Sequence, residues 1–285
     1  MDGASLAAPT SSQNALIRLV QTRLAAGQLP LPTLPDLALR IDAIAGTEAA
    51  GAADVAAAIS QDPATAARLI QAANSAYAAS RVRVQSMQAA VTRLGLAYTR
   101  ALVHRVALEQ MFLARTHALQ RLARQCWVIS LDVAALSEAL ARECTDLAPE
   151  TAMTAGLLHR VGVLPLIRLF DAEPGLMEEE SDADTVAATT APAIGRSLLA
   201  HWCFPRLLQE IPTLAAAPDY HHIGPADYAD VVLTACYGRA LQDGEGSPAV
   251  PAHALDKLGL GAGGAFLETP GILRARERAR QRLEC

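Results

Sequence analysis

The residues best suited to chemistry stand near the middle of the chain, in Leu157-Leu158-His159-Arg160-Val161-Gly162. An imidazole can ligate a metal or carry a proton, whereas a guanidinium offers five donors and no lone pair, so Arg160 is no metal ligand. The pair could instead hold an anionic group such as a phosphate, with Arg160 supplying a planar donor fork. The competing reading of His159 is a buried imidazole, held by a hydrogen bond on a helix of leucines. A second pair, His221-His222, would point about 100° apart on a helix, so both could face one site only from a loop or turn. His104, His117, His201 and His253 have no carboxylate or cysteine at ligand spacing and read as ordinary surface or core histidines.

Other chemistries find less support. The sequence has no Gly-x-x-x-x-Gly-Lys-Ser/Thr phosphate loop, no Gly-x-Ser-x-Gly elbow and no His-Glu-x-x-His pair. Leu94-Gly95-Leu96 is a helix stop and not a dinucleotide fingerprint. The five cysteines, Cys126, Cys144, Cys203, Cys236 and Cys285, are odd in number, widely spaced and without a Cys-x-x-Cys pair. They read as reduced thiols, the first four as small buried hydrophobes and Cys285 as the one free to react.

Two charge groupings call for a reading. Asp171, Glu173, Glu178, Glu179, Glu180, Asp182 and Asp184 gather around Pro174-Gly175, as expected of a solvated acidic loop. Arg274, Arg276, Arg278, Arg280 and Arg282 alternate, which on a helix advances about 200° per step and spreads them around the circumference. That predicts a solvated terminal helix in preference to a nucleic-acid or membrane patch.

The elements that must position these residues are helices. Alanine dominates, β-branched and aromatic runs are few, and 52% of the 285 residues are hydrophobic, enough for one large core or two modest ones. With a net charge of -5, no global basic surface advertises nucleic acid or anionic membrane. No Lys or Arg precedes Arg18 and no apolar run approaches the ~18 residues of a membrane helix, so a cytoplasmic protein is expected.

Along the chain, residues 1–12 read as a mobile tail, and the first helix opens with Ser11 or Ser12 as N-cap and carries Leu16, Val20 and Leu24. Leu29-Pro30-Leu31-Pro32-Thr33-Leu34-Pro35 is a fixed extended strap before a helix bearing Leu37, Ile41 and Ile44. Asp62-Pro63 is a helix start with Ala66, Leu69, Ile70 and Ala73 on one face. After a loop at 81–85, Ser86 caps a further helix that Gly95 terminates.

The strings "LPTLPDLALRI", "ISQDPATAARLIQAANSA" and "AAVTRLGLAYTRALV" follow one another at short intervals, and with them the chain resembles the HDOD family of bacterial signalling proteins over roughly residues 14 to 243. The resemblance implies an all-α fold of two packed helical subdomains, the second similar to the helical core of HD phosphohydrolases. Residues 13–115 would form the N-terminal helical part, 116–243 the HD-like part and 244–285 a C-terminal extension.

A working HD site has a His-Asp pair where this chain has His159-Arg160. By the same resemblance the first ligand His falls at Ile129, a further His at Ala191 and the closing Asp at Cys236, while His221-His222 matches the family's tandem histidine. Two imidazoles and no carboxylate remain. At ~4 Å the added guanidinium would repel a divalent cation by about twice the ~4 kcal/mol felt between unit charges at an effective dielectric near 20.

The expectation is therefore a non-enzymatic regulatory protein without a cofactor, which binds a signalling protein partner and has as its residual cleft His159, Arg160, His221 and His222. Alternatives are a divergent metal-dependent phosphohydrolase and a sensor of a small anionic ligand that uses Arg160. Neither nucleic acid nor membrane is expected as a partner.

Overall fold

The computed structural model describes residues 9–47, 51–75, 83–179, 181–244 and 248–283, and among these every regular element is a helix. α1 (Ser11–Ala25) starts from Thr10: its hydroxyl accepts from the Gln13 amide at 3.2 Å, and the Gln13 side chain accepts from the Thr10 amide at 2.9 Å. This reciprocal capping box moves the N-cap one residue ahead of the expected serines. After the strap come α2 (Asp36–Ala45), α3 (Ala52–Ile59) and α4 (Pro63–Ser75). Asp62 caps α4 by accepting from the Ala64 and Thr65 amides at 3.0 and 3.2 Å. Ser86 caps α5 (Met87–Leu94), and Gly95, at φ +82°, turns the chain into α6 (Leu96–Met111). Only glycine adopts that backbone without strain. Part of the loop expected at 81–85 lies outside the described residues.

The 28-residue α7 (His117–Cys144) runs through the centre, and Val133, Ala134, Leu136 and Leu140 on it are fully buried. α8 (Pro149–Leu158) crosses it at Gly156, where a β-carbon would lie 2.6 Å from the Ala134 Cα. Contact this close needs small residues on both helices, so the run Ala152 to Gly156 is a packing device. A turn at 159–162 leads to α9 (Val163–Ala172) and then α10 (Ser181–His201). α10 lies on that turn so closely that a β-carbon on Gly162 would collide with the Ala191 carbonyl and the Gly195 amide. The short α11 (Arg206–Gln209) and α12 (Ile211–Leu214) precede α13 (Tyr228–Asp243), α14 (Ala252–Lys257) and α15 (Pro270–Leu283).

The larger hydrophobic core is continuous from Leu34 and Ile41 to Ile272 and Leu283, and so joins both helical parts to the C-terminal extension. A second cluster packs Leu16 and Val20 of α1 against Leu119, Phe170, Val186 and Ile194. The strap is pinned across the molecule, since the Trp202 indole donates to the Pro32 carbonyl at 2.8 Å.

Four expectations need correction. Among the acids of 171–184, Glu173, Glu178 and Glu179 are exposed as expected of a solvated loop, but Asp182 is a buried anchor. Asp182 is 4% exposed; its carboxylate accepts from the Glu178 and Glu179 amides at 2.8 and 2.9 Å and from Gln13 at 3.1 Å. Burial works against its ionisation, but these three donors hold its pKa below the usual carboxylate value. Asp171 caps the Arg115 amide, Glu173 pairs with Arg23 and Asp184 with Arg121. Glu180 lies outside the described residues.

Secondly, α15 is no solvated appendage: Ile272, Ala275, Ala279 and Leu283, at i, i+3, i+7 and i+11, are buried against the core. The alternating arginines mask that stripe in the sequence. Thirdly, Cys203 is exposed, at φ +56° in the turn that ends α10, while Cys126 is buried and Cys144 and Cys236 are half-buried. Cys285 falls outside the described residues. Fourthly, the stretch Pro149–Ala172 does have the length and hydropathy of a membrane span, but 83% of its 18-residue apolar window is buried inside the fold.

Gly156→Ala tests the α7–α8 crossing. An open helical glycine gains up to about 1 kcal/mol on replacement by alanine. Here the new methyl must push two backbones apart, so a net loss of about 1–3 kcal/mol is expected, read as a lower urea midpoint at unchanged slope.

Candidate functional site

His159 and Arg160 occupy the turn that leaves α8. The His159 Nδ1–H donates to the Gly156 carbonyl at 2.6 Å, which assigns the lone pair to Nε2. Burial, then the neighbouring Arg160 charge, push the imidazole pKa down to about 3, so the ring is neutral at physiological pH. His159, Arg160, Ala187, Ala191, Pro192 and Pro212 are among the residues around a cavity of about 160 Å³. Among the described residues no carboxylate pairs with Arg160.

The other positions can now be placed. Ala191 shares the cavity, and its backbone seals Gly162. Burial pushes the Cys236 thiol up to about 12, and the Arg160 charge acts in the opposite sense, which puts the guanidinium within electrostatic range of that sulfur. Cys126, pushed up to about 11 by burial, feels Arg160 as well, and its Sγ lies 3.6 Å from the Arg160 carbonyl. Ile129 is half-buried against the main core.

His221 and His222 do not line the His159–Arg160 cavity, so the four residues expected in one cleft separate into two places. They do stand in a loop, but different partners hold them: the His221 ring faces His253 at 5.4 Å, while His222 Nε2 lies 2.8 Å from Asp230 and 3.4 Å from Asp227. Among the described residues His222, Asp227 and Asp230 are the one group whose ligand atoms converge closely enough for a cation. Its cation is already supplied, since the buried Lys257 ammonium lies 3.7 Å from Asp230. The two aspartates also cap α13 reciprocally at 3.0 Å, and the Tyr220 hydroxyl donates to Asp227 at 2.8 Å. This is a structural cap on α13.

The metal set of an HD site therefore does not fit these residues. One neutral imidazole beside a guanidinium, an alanine and a protonated thiol cannot hold a divalent cation, which needs several oxygen or nitrogen donors.

A larger cavity escapes sequence reasoning altogether. About 320 Å³ opens between α2, α6, α8 and the turn after α10, with Asp42, Arg100, His104, Glu150, Trp202 and Phe204 on its walls. His104, 2% exposed, lies 2.9 Å from Asp42, a carboxylate 62 residues away that no spacing rule connects to it.

The HDOD domain family matches residues 31–218, and the chain belongs to that family. A solved structure from Shewanella amazonensis SB2B, a proposed metal-dependent phosphohydrolase, is 27% identical and superposes with a TM-score of 0.82 over 96% of this chain and 100% of that one. A proposed signal transduction protein from Marinobacter aquaeolei VT8 is 22% identical with a TM-score of 0.64, over 100% of this chain and 69% of the other. An HDOD domain protein of unknown function from Geobacter sulfurreducens is 21% identical with a TM-score of 0.58, over 94% and 88% of the two chains. Among curated proteins none matches.

The α13 cap makes stability pH-dependent. The hydrogen bond to Asp230 raises the His222 pKa above its ordinary value, and the nearby Asp227 charge adds to it against some desolvation. A raised folded-state pKa stabilises fully below the unfolded value near ~6.5 and is lost as pH rises through the folded value. Wild type should exceed His222→Asn in melting temperature at pH 6, and the gap should narrow by pH 9; a constant gap rejects the assignment.

Proposed function

We propose that this chain is a non-catalytic regulatory protein of bacterial signal transduction, working in the cytoplasm and acting by binding a protein partner through its HDOD domain. The observation that carries the reading is the guanidinium of Arg160 standing where an HD site has a carboxylate, within range of Cys236 and beside Ala191. Every replacement runs in one direction, from cation ligand to cation-repelling or inert group. A single lost ligand would weaken a metal site; four lost positions remove it, because a catalytic zinc needs three protein ligands and keeps a fourth position for water. Signalling is also the role proposed for the Marinobacter aquaeolei relative. The phosphohydrolase name belongs to the Shewanella amazonensis protein, and its chemistry would require donors that these positions lack.

The test is elemental analysis of the dialysed protein together with turnover on a phosphoester panel. Substoichiometric Fe, Mn and Zn and no turnover are expected, and Arg160→Asp alone should gain neither, since Ile129, Ala191 and Cys236 still supply no ligand. Stoichiometric metal that survives dialysis, with hydrolysis abolished in His159→Ala, would establish the enzyme instead.

A second reading rests on the absence of a carboxylate partner for Arg160 among the described residues: the 160 Å³ cavity could receive a small anion against Arg160 and the His159 ring. Thermal shift with orthophosphate decides it, and a shift unchanged in Arg160→Ala rejects that pocket.

A further inference from the structure

Where α15 docks, charge is answered within the fold: Arg282 stacks on the Tyr98 ring at 4.7 Å and pairs with the buried Glu138, which also accepts from Arg142 at 3.1 Å. The cavity between α2, α6, α8 and the turn after α10 differs, because two opposite charges on its walls are left unused.

The first is Glu150, in the opening turn of α8, where the helix dipole favours a negative charge. Its carbonyl accepts from the Thr154 hydroxyl at 3.0 Å, but among the described residues its carboxylate has no hydrogen bond and no ion pair. The second is Arg100 of α6. Its guanidinium makes no hydrogen bond among the described residues, and its one ion pair, to Asp42, is long at 3.9 Å. Asp42 is held away from it, since its other oxygen accepts from the His104 Nε2–H at 2.9 Å. Arg100 and Glu150 thus line one cavity and do not pair with each other.

Much of the remaining wall is apolar and firmly held. Trp202 and Phe204 are buried with their rings 6.3 Å apart, and Phe204 also packs on the His104 ring at 5.2 Å. His104 is almost enclosed, yet its Nδ1 has no hydrogen-bond partner among the described residues. A buried ring nitrogen without a partner costs stability, so this wall is not arranged for packing alone. The space of about 320 Å³ lies at the small end of ligand pockets, which span about 300–1,000 Å³.

We propose that this cavity binds a small zwitterion with an apolar body, its carboxylate on Arg100, its ammonium on Glu150 and its carbon frame against Trp202 and Phe204. A ligand of one charge satisfies one of the two groups and brings like charge toward the other, whereas a zwitterion answers both. The arginine fork matches a carboxylate, and the carboxylate of Glu150 accepts readily from an ammonium. Free α-amino acids and ω-amino acids are both of this class and differ in the separation of their charges. Arg100 precedes the central α7 and Glu150 follows it, so an occupant bridges the two halves of the chain. The site shares no lining residue with the His159–Arg160 cavity.

The experiment is calorimetric titration of the full chain with L-phenylalanine, L-leucine and ε-aminocaproate, each beside its decarboxylated amine and its deaminated acid. At least one zwitterion should bind saturably at one per chain, with both single-charge analogues weaker by about tenfold or more, as loss of a charge-assisted hydrogen bond dictates. Whether an α-amino acid or ε-aminocaproate binds tighter sets the separation of the two charges, and either order supports the site. Glu150→Gln and Arg100→Gln, both on partly exposed side chains, should each weaken the zwitterion about tenfold, and each serves as the second variant should the other fail to fold. Arg160→Ala should leave the affinity unchanged. The proposal is overturned by absence of saturable binding of all three zwitterions, by an amine or acid analogue that binds as tightly as its parent, by wild-type affinity in a folded Glu150→Gln or Arg100→Gln protein, or by loss of binding in Arg160→Ala.

Discussion

Backbone-to-backbone contact at two glycines sets the geometry of the molecule. Gly156 lets α8 settle on α7, and six residues later Gly162 lets α10 settle on the turn that follows. Between them sit His159 and Arg160, so the residues with the most chemical potential are fixed by the tightest packing in the fold. Interiors of this density transmit strain and leave little room for adjustment. The hexapeptide is consequently structural first: its leucines fill the core, its glycine admits a neighbouring helix, and its histidine closes a hydrogen bond within its own turn.

The charge balance of this turn can be followed residue by residue. A metal centre concentrates positive charge that carboxylates and imidazoles balance. Here a guanidinium brings one positive charge, the imidazole is kept neutral, and the thiols at Cys126 and Cys236 stay protonated. The region is a single cation among neutral groups. Acidic side chains that could have answered it are used elsewhere, on α13 by Asp227 and Asp230 and in the centre by Glu138.

Much of the architecture was legible in the sequence because its signals are local. Asp62-Pro63, Ser86 and Gly95 each act on atoms within three or four residues, and each caps or stops a helix where its chemistry says it should. The family strings likewise carried the fold. Signals that act over distance were not legible. Asp182 is bound by Gln13 from 169 residues away, and His222 is drawn to Asp230 and Lys257, away from the cavity at His159. The stripe Ile272, Ala275, Ala279, Leu283 was present in the residues, but two of its four members are alanines and arginines interrupt it throughout. Of the candidate site, the identities of His159, Arg160 and Ala191 were readable one residue at a time, while their sharing of a cavity that the tandem histidines do not line required the folded chain.

The bond between Glu138 and Arg282 joins residues 144 positions apart, and it has a consequence for how the chain is made. Synthesis proceeds from the N-terminus, so α7 can pack against α8 and α13 well before α15 has been translated. During that interval Glu138 has Arg142 as its cationic partner, and the apolar strip of α7 that will meet Ile272 and Leu283 faces water. Burying a carboxylate with incomplete pairing is unfavourable, so the emerging protein is held short of its final state by one charge. Arrival of the last helix supplies the missing cation and the missing apolar cover together. Completion of the fold is thus tied to completion of the last helix, and a nascent chain lacking it presents to the cell's quality-control machinery an open core with an acid at its centre.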